Sequence, residues 1–376
     1  MKIAIVGTTH PYRGGLSAFN ERLSKQLIKE GHELVVYTFT LQYPNFLFPG
    51  KTQFSAEPAP QELHIIPCIN SINPFNWIRV GRKIRKANYD AVIFCYWMSF
   101  MAPCFGTIAR CLRKRTKKMA LVHNMIPHEK SLLDVLFPRY FVRAMDAFTA
   151  MSQVVVDDIK KLGATNKPLT LTPHPLYDHF GVRMTREDAL ERLSLDSSYR
   201  FVLFFGLIRS YKGLDLLLEA FADERLRKLP VKLLVAGEFY EDEQYYLDII
   251  TEKDLSEHVL ICDNYIPENE VREWFSAADL IVQPYRSATQ SGISQIAYHF
   301  EKPMLVTNVG GLAEIVPNGK AGYVVEPKPT QIADALLDFY QNNRQKELEE
   351  GTKEAKKKYD WAVMTKKIIA LLTEIK

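Results

Sequence analysis

The chain has 376 residues, 47% hydrophobic and 24% charged, with a net charge of +4. Single cores rarely grow past about 250–300 residues, so the length favours two domains of similar size. The composition excludes a mainly disordered chain. A pI near 8.6 is too mild for a nucleic-acid binder, whose domains usually exceed about 9, so no nucleic acid is expected as a partner. Cys68, Cys95, Cys104, Cys111 and Cys262 show no CxxC spacing, which argues against a disulfide framework or a zinc ribbon and fits a reducing cytoplasm.

In chain order, apolar runs predict strands at Met1–Gly7, Glu33–Thr40, Asp90–Trp97, Met119–Val122 and Ala147–Met151. A second series covers Phe201–Phe205, Val231–Ala236, Val259–Asp263, Leu280–Pro284, Met304–Thr307 and Tyr323–Val325. Helical patterns such as Leu16–Glu30 and Leu214–Ala222 lie between them. Continuous apolar strands alternating with helices mean parallel sheets covered on both faces, so each half reads as a doubly wound α/β domain. The linker is expected near Pro168–Gly181, where Pro173, Pro175 and Gly181 cluster. Met1–Gly7 is followed by no cleavage site of a secretory signal. The uncharged stretch Ala91–Ile108 meets the minimum length of a membrane span, but Ser99, Pro103, Gly106 and Thr107 interrupt it. It reads as a strand and helix inside a domain, with membrane contact as the alternative. Tyr359–Lys376 is a terminal helical pattern with one apolar face, and Arg344–Lys358 before it reads as a solvated helix face.

In open parallel sheets ligands bind beyond the carboxyl ends of the strands. The first strand leads into GTTHPYRGGL, where Gly14 and Gly15 allow close backbone approach at a helix N-terminus that favours anions. A glycine pair alone does not separate a ligand loop from a plain turn. The dinucleotide fingerprint is absent, which counts against a dehydrogenase. Phe201–Phe205 leads into GLIRSYKGLD, where Arg209 and Lys212 sit beside Gly206 and Gly213. Their place at the binding edge favours phosphate over mere solubility: a guanidinium grips two oxygens and an ammonium adds a point charge. TQSG (289–292) and the pair Gly310–Gly311 offer further helix starts on the same edge. Together these loops converge on a site for a phosphorylated ligand. The acidic run Glu241–Glu243 reads as a solvated helix start rather than a metal site.

GLIRSYKGLDLLLEAF, KPMLVTNVGGLAEIV and the early GGLSAFNERLSKQL resemble family 4 retaining glycosyltransferases of GT-B fold. The resemblance covers essentially the whole chain. YPNFLFPGKTQF (Tyr43–Phe54), VHNMIPHE (Val122–Glu129) and TPHPLYDHF (Thr172–Phe180) look like a bacterial branch. It implies two Rossmann-like domains facing a central cleft: residues 1–175 on the acceptor side and 182–358 binding a nucleotide sugar, with a terminal helix (359–376) crossing back to the first. Arg209 and Lys212 then match the basic pair on the diphosphate, and Gly14 and Gly15 the loop that approaches phosphates and sugar. His123 matches a position near the donor sugar, a core or capping histidine being the alternative. Ser291, Gly292 and Gln290 fall where the family places amides and short side chains around sugar and phosphate. Tyr265 and Ile266 correspond to the region that receives the base. Glu314 matches the glutamate of the GGxxE stretch, or simply favours a helix start. His128 and Glu129 belong to the branch-like motif, with loop packing as an equal reading.

The chain departs from the family at its usual glutamate pair. Anchored on Lys302–Pro303, those positions fall at Ala288 and Ile296, with only Gln290 and Gln295 close by. The implied reaction is sugar transfer with retention, without a metal or other cofactor, from a nucleotide diphosphate sugar to a glycan or lipid-linked acceptor. Cell-surface polysaccharide or glycolipid synthesis is the expected setting. An epimerase or hydrolase of the same fold, or a noncatalytic nucleotide-sugar-binding protein, would share the donor loops. Arg79 to Lys118 carries eleven Lys or Arg against Asp90 alone, a net of +10, so the remainder sums to −6 (4 − 10). This block predicts either an ordinary solvated face or docking on an anionic membrane surface at the inner face of the cell membrane.

Overall fold

The computed structural model describes residues 1–44, 53–55, 58–125, 133–288 and 291–375. Contacts divide the chain into two units: residues 1–173 with 361–376, and residues 174–360. The first unit is built on seven strands: β1 (Lys2–Val6), β2 (Glu33–Leu41), β3 (Ile65–Asn70), β4 (Ala91–Tyr96), β5 (Lys117–Val122), β6 (Ala147–Ala150) and β7 (Leu169–Leu171). They form one parallel sheet in the order β3-β2-β1-β4-β5-β6-β7. The helices are α1 (Gly15–Lys29), α2 (Pro74–Ala87), α3 (Ala102–Arg110), α4 (Leu133–Ala144) and α5 (Gln153–Ile159).

Successive residues of a strand point to opposite faces, and both faces here are covered. Ala4, Val6, Val92, Phe94, Ala120 and Val122 join a core with residues of α2 to α5. Ile3, Ile5, Ala91, Ile93, Met119 and Leu121 join a second core under α1. This double burial is why the strands read as unbroken apolar runs. The two strands without such a run, β3 and β7, are the sheet's edges. β3 carries Pro67 and is only partly buried, as suits an edge. β7 falls inside the segment expected to be linker, so the chain leaves the sheet later than its proline pattern suggests. The stretch from Ala91 to Ile108 is the buried strand β4, a turn and α3. Among the described residues no helix is long and apolar enough to cross a membrane.

The second unit holds β8 (Arg200–Phe205), β9 (Val231–Ala236), β10 (Val259–Cys262), β11 (Leu280–Gln283), β12 (Met304–Thr307) and β13 (Gly322–Val325). They form a parallel sheet in the order β10-β9-β8-β11-β12-β13. Its helices are α6 (Arg186–Arg192), α7 (Leu214–Phe221), α8 (Glu224–Arg227), α9 (Glu243–Glu252), α10 (Val271–Ala277), α11 (Gly292–His299), α12 (Leu312–Ile315), α13 (Pro329–Gln341) and α14 (Gln345–Lys356). Again alternate residues enter two cores: Val202 and Phe204 pack with α7 and α13, Phe201, Leu203 and Phe205 with α10 and α11. Asp279 at the start of β11 is fully buried, accepts from Phe201 N at 2.7 Å and pairs with Arg200 and Arg186 at 3.1 and 3.4 Å.

The terminal helix α15 (Trp361–Glu374) returns to the first unit. Trp361, Met364, Ile368, Leu371 and Leu372 lie in the same core as Phe19, Leu23 and Leu27 of α1. The helical pattern expected from Tyr359 therefore begins two residues later. Tyr359 stays with the second unit, its ring 4.8 Å from that of Tyr298 and its hydroxyl donating to Ile315 O at 3.1 Å.

Candidate functional site

Each sheet reverses strand order at one place, between β1 and β4 and between β8 and β11. Loops diverge there and leave room for a ligand beyond the strand ends. In the second unit the loop after β8 carries Arg209 and Lys212 in a short turn, Ser210–Lys212. Lys212 is only 8% exposed. Burial, and secondarily the charge of Arg209, pulls its ammonium down to about 8. Its Nζ lies 3.3 Å from where a β-carbon on Gly206 would stand, and Gly206 has φ +89. Only glycine combines that backbone with an open surface for the ammonium. Arg209 lays its guanidinium over Tyr240, 4.6 Å from the ring centre.

The loop is clamped from both sides. Ser210 N donates to Glu241 at 2.8 Å, and Arg286 Nη1 donates to Ser210 O at 3.0 Å. Arg286 also holds Asp215 through two bonds of 2.7 and 2.6 Å. Asp242 caps α9, so the acidic run is a helix start with one member, Glu241, holding the loop after β8. Gly213 has φ +69, and a β-carbon there would stand 2.1 Å from Pro284 O, which seats the loop after β8 against the one after β11.

That second loop ends in Ser291, which caps α11 by accepting from Ile293 N at 3.3 Å and lies 3.4 Å from Tyr285 Oη. Gly292 opens the helix with Tyr177 packed 3.1 Å from its β position. Gln290 lies outside the described residues, as do His128 and Glu129. Tyr265 is exposed, whereas the Ile266 side chain belongs to the core, leaving only its backbone for a ligand. Glu314 is exposed on the single-turn α12 and lines a concavity of about 500 Å³ with Asn308, Asn318, Glu326 and Gln331. Ile296 is a core residue. Gln295 beside it is buried, and its Oε1 has no partner among the described residues.

In the first unit Gly14 caps α1 with φ 105 and Gly15 is the helix's first residue. Glu21 ties the loop after β1 to the helix, accepting from His10 N at 2.7 Å and from Ser17 Oγ at 3.0 Å. His123 follows β5, donates its backbone N–H to Tyr96 O at 2.9 Å and meets Phe19 of α1 edge-on at 4.6 Å. Gly14, Gly15 and His123 thus occupy one edge of that sheet. The sequence reading overlooked Thr8, Thr9 and Asn20 in the same place. All three are buried, and Thr8 Oγ1, Thr9 Oγ1 and Asn20 Oδ1 have no partner among the described residues. Buried polar atoms without partners are rare in folded proteins. Two threonines after the first strand were the available signal. Arg286 was also overlooked, because its meaning rests on Asp215, 71 residues away.

Residues 13–177 match the Glycosyltransferase Family 4 domain, and residues 185–359 match Glycosyl transferases group 1. The chain is a glycosyltransferase. It is 22% identical to an uncharacterized glycosyltransferase of Methanocaldococcus jannaschii, over 96% of this chain and 95% of that one. It is 21% identical to the N-acetyl-alpha-D-glucosaminyl L-malate synthase of Bacillus anthracis, over 90% and 88%. Among solved structures, Anabaena Alr3699/HepE in complex with UDP superposes with a TM-score of 0.72 at 15% identity, covering 99% of this glycosyltransferase and 100% of that chain. These likenesses give the glycosyltransferase the GT-B fold, with its two Rossmann-like domains.

Proposed function

We propose that this glycosyltransferase moves a sugar, with retention at the anomeric carbon, from a nucleotide diphosphate sugar to a glycan or lipid-linked acceptor. The setting proposed is cell-surface polysaccharide or glycolipid synthesis. The observation that carries the donor class is the pair Arg209 and Lys212 at the strand reversal, with Lys212 buried over the Gly206 backbone. A desolvated ammonium with no carboxylate paired to it among the described residues is a place for a phosphate.

Negative charge grows on the departing diphosphate as the glycosidic bond breaks, and cations already in place stabilise it without reorganising. Two acids beside this loop are engaged, Glu241 with Ser210 and Asp215 with Arg286. Neither is offered as a covalent nucleophile, which favours same-face displacement with the leaving phosphate taking the acceptor's proton. Ser291 and Gly292 supply the start of α11 toward the same phosphates, and Tyr265 with the Ile266 backbone receives the base. Gln295 Oε1 is an acceptor for a donor hydroxyl where the family uses a carboxylate. In the first unit, Gly14, Gly15 and His123, with Thr8, Thr9 and Asn20 beside them, are the candidate contacts for sugar and phosphate.

A thermal-shift screen over nucleotide diphosphate sugars, beginning with UDP-glucose because the Anabaena protein was also solved with it, tests the donor class. A ligand that binds only the folded state raises its apparent stability. Anomeric configuration in the product, read by NMR, tests retention.

A further inference from the structure

We propose that α2 and α4 form one membrane-docking surface for anionic lipid, extending the basic block of Arg79–Lys118 to a helix it does not include. The inference rests on the reading of a lipid-linked acceptor above. α3 packs against both helices, and residues of all three enter the same core on one face of the first sheet. Their outward sides therefore belong to one layer.

On α2, Val80, Gly81 and Ile84 are buried toward the sheet. The outward stripe runs Phe75, Ile78, Arg79, Arg82 and Lys86, spaced at helical intervals, and Phe75 is 82% exposed. Phe75, Ile78 and four cations, Arg79, Arg82, Lys83 and Lys86, line an open concavity of about 700 Å³. α2 contains no acid. At its end Arg113 and Arg115 both donate to Asn88, which brings the next basic block alongside.

On α4, Phe141 and Val142 are buried while Leu136, Tyr140 and Arg143 form an outward stripe, Leu136 being 58% exposed. Between the two helices Arg110 of α3 stacks on Tyr140, 3.7 Å from the ring centre, and donates to its carbonyl at 2.7 Å. Large apolar side chains held in water among cations, on a layer rather than in a pocket, match the headgroup boundary of an anionic bilayer. A polyanion such as nucleic acid would use the cations but leave Phe75, Ile78 and Leu136 in water, so the apolar stripe decides for lipid.

The full-length protein is sedimented with phosphatidylcholine vesicles and with vesicles containing phosphatidylglycerol. Binding is expected only to the anionic vesicles, weakening as salt rises. The triple variant Arg79→Gln, Arg82→Gln, Lys86→Gln is expected to lose about a hundredfold in partitioning. The double variant Phe75→Ser, Leu136→Ser is expected to lose about tenfold or more while its retention on a heparin column stays that of the parent. Circular dichroism and thermal melting confirm that the variants fold, with Ile78→Ser replacing either apolar change that does not. No binding to anionic vesicles, equal binding to neutral ones, or an apolar variant that binds vesicles like the parent would each overturn the docking surface. UDP-sugar thermal shifts are read on the same samples. Their persistence alongside failed vesicle binding removes the docking surface and leaves the donor site standing, and their loss in the parent protein removes the donor site itself.

Discussion

The ammonium of Lys212 sits 3.3 Å from the position a β-carbon on Gly206 would occupy. A strand end without a side chain thus exposes its backbone beneath a cation that the fold has stripped of water. That arrangement raises the energy of the charged lysine and rewards an anion placed beside it.

Arg209→Ala and Lys212→Ala are each expected to lower turnover by about 10²–10³, the cost of removing one donor aimed at developing charge. Thermal melting should change little, because neither side chain anchors the core. Parent-level turnover in either variant would sink the phosphate assignment.

The depressed Lys212 pKa gives donor binding a pH dependence of definite sign. Only the protonated ammonium attracts the diphosphate, and in the free protein it is half neutral at about pH 8. The bound anion lifts the pKa back toward its ordinary value, so binding takes up a proton above about pH 8. Affinity should fall by up to about tenfold per pH unit there. Calorimetry in buffers of different ionisation enthalpy at about pH 9 measures the uptake, and a buffer-independent heat would contradict it.

Gly213→Ala is expected to damage folding and activity together. Its β-carbon would stand 2.1 Å from Pro284 O on a backbone with φ +69. Strain of this kind costs on the order of 1–3 kcal/mol before the clash is counted, which urea unfolding would detect. The loop after β11 must also move, carrying Ser291 with it.

Asp279→Ala should destabilise the protein by about 3–5 kcal/mol, since it removes the buried acceptor of the Phe201 N–H and the carboxylate that pairs with Arg200 and Arg186. Asp279→Asn keeps an oxygen for the amide and should cost less. Equal stability of the alanine variant and the parent in denaturant titration would show that the buried carboxylate is dispensable.

Deleting residues 361–376 should leave the first unit unable to fold. Trp361, Met364, Ile368, Leu371 and Leu372 contribute one side of its core. At about 1.5–3 kcal/mol per buried side chain, their loss rivals the whole stability of about 5–15 kcal/mol expected of a domain. Soluble, monomeric protein with native circular dichroism after truncation would contradict this.

By itself the sequence determined the two α/β halves, because a strand buried on both faces must be apolar throughout and such runs are visible without any partner. It also placed Arg209, Lys212 and their glycines at strand ends, since a parallel sheet sends every such loop to one edge. Edge strands escaped it: β3 and β7 lack double burial and hence the signal, so β7 read as linker. Only the tertiary structure decided what each charge does. Lys212 and Arg286 look alike in sequence, yet one is desolvated beside Gly206 and the other is neutralised by Asp215. The unpartnered oxygens of Thr8, Thr9, Asn20 and Gln295, and the shared outward layer of α2 and α4, likewise arise from packing between distant segments. Burial, and the electrostatics that follow from it, belong to neighbours in space, and spacing along the chain does not contain them.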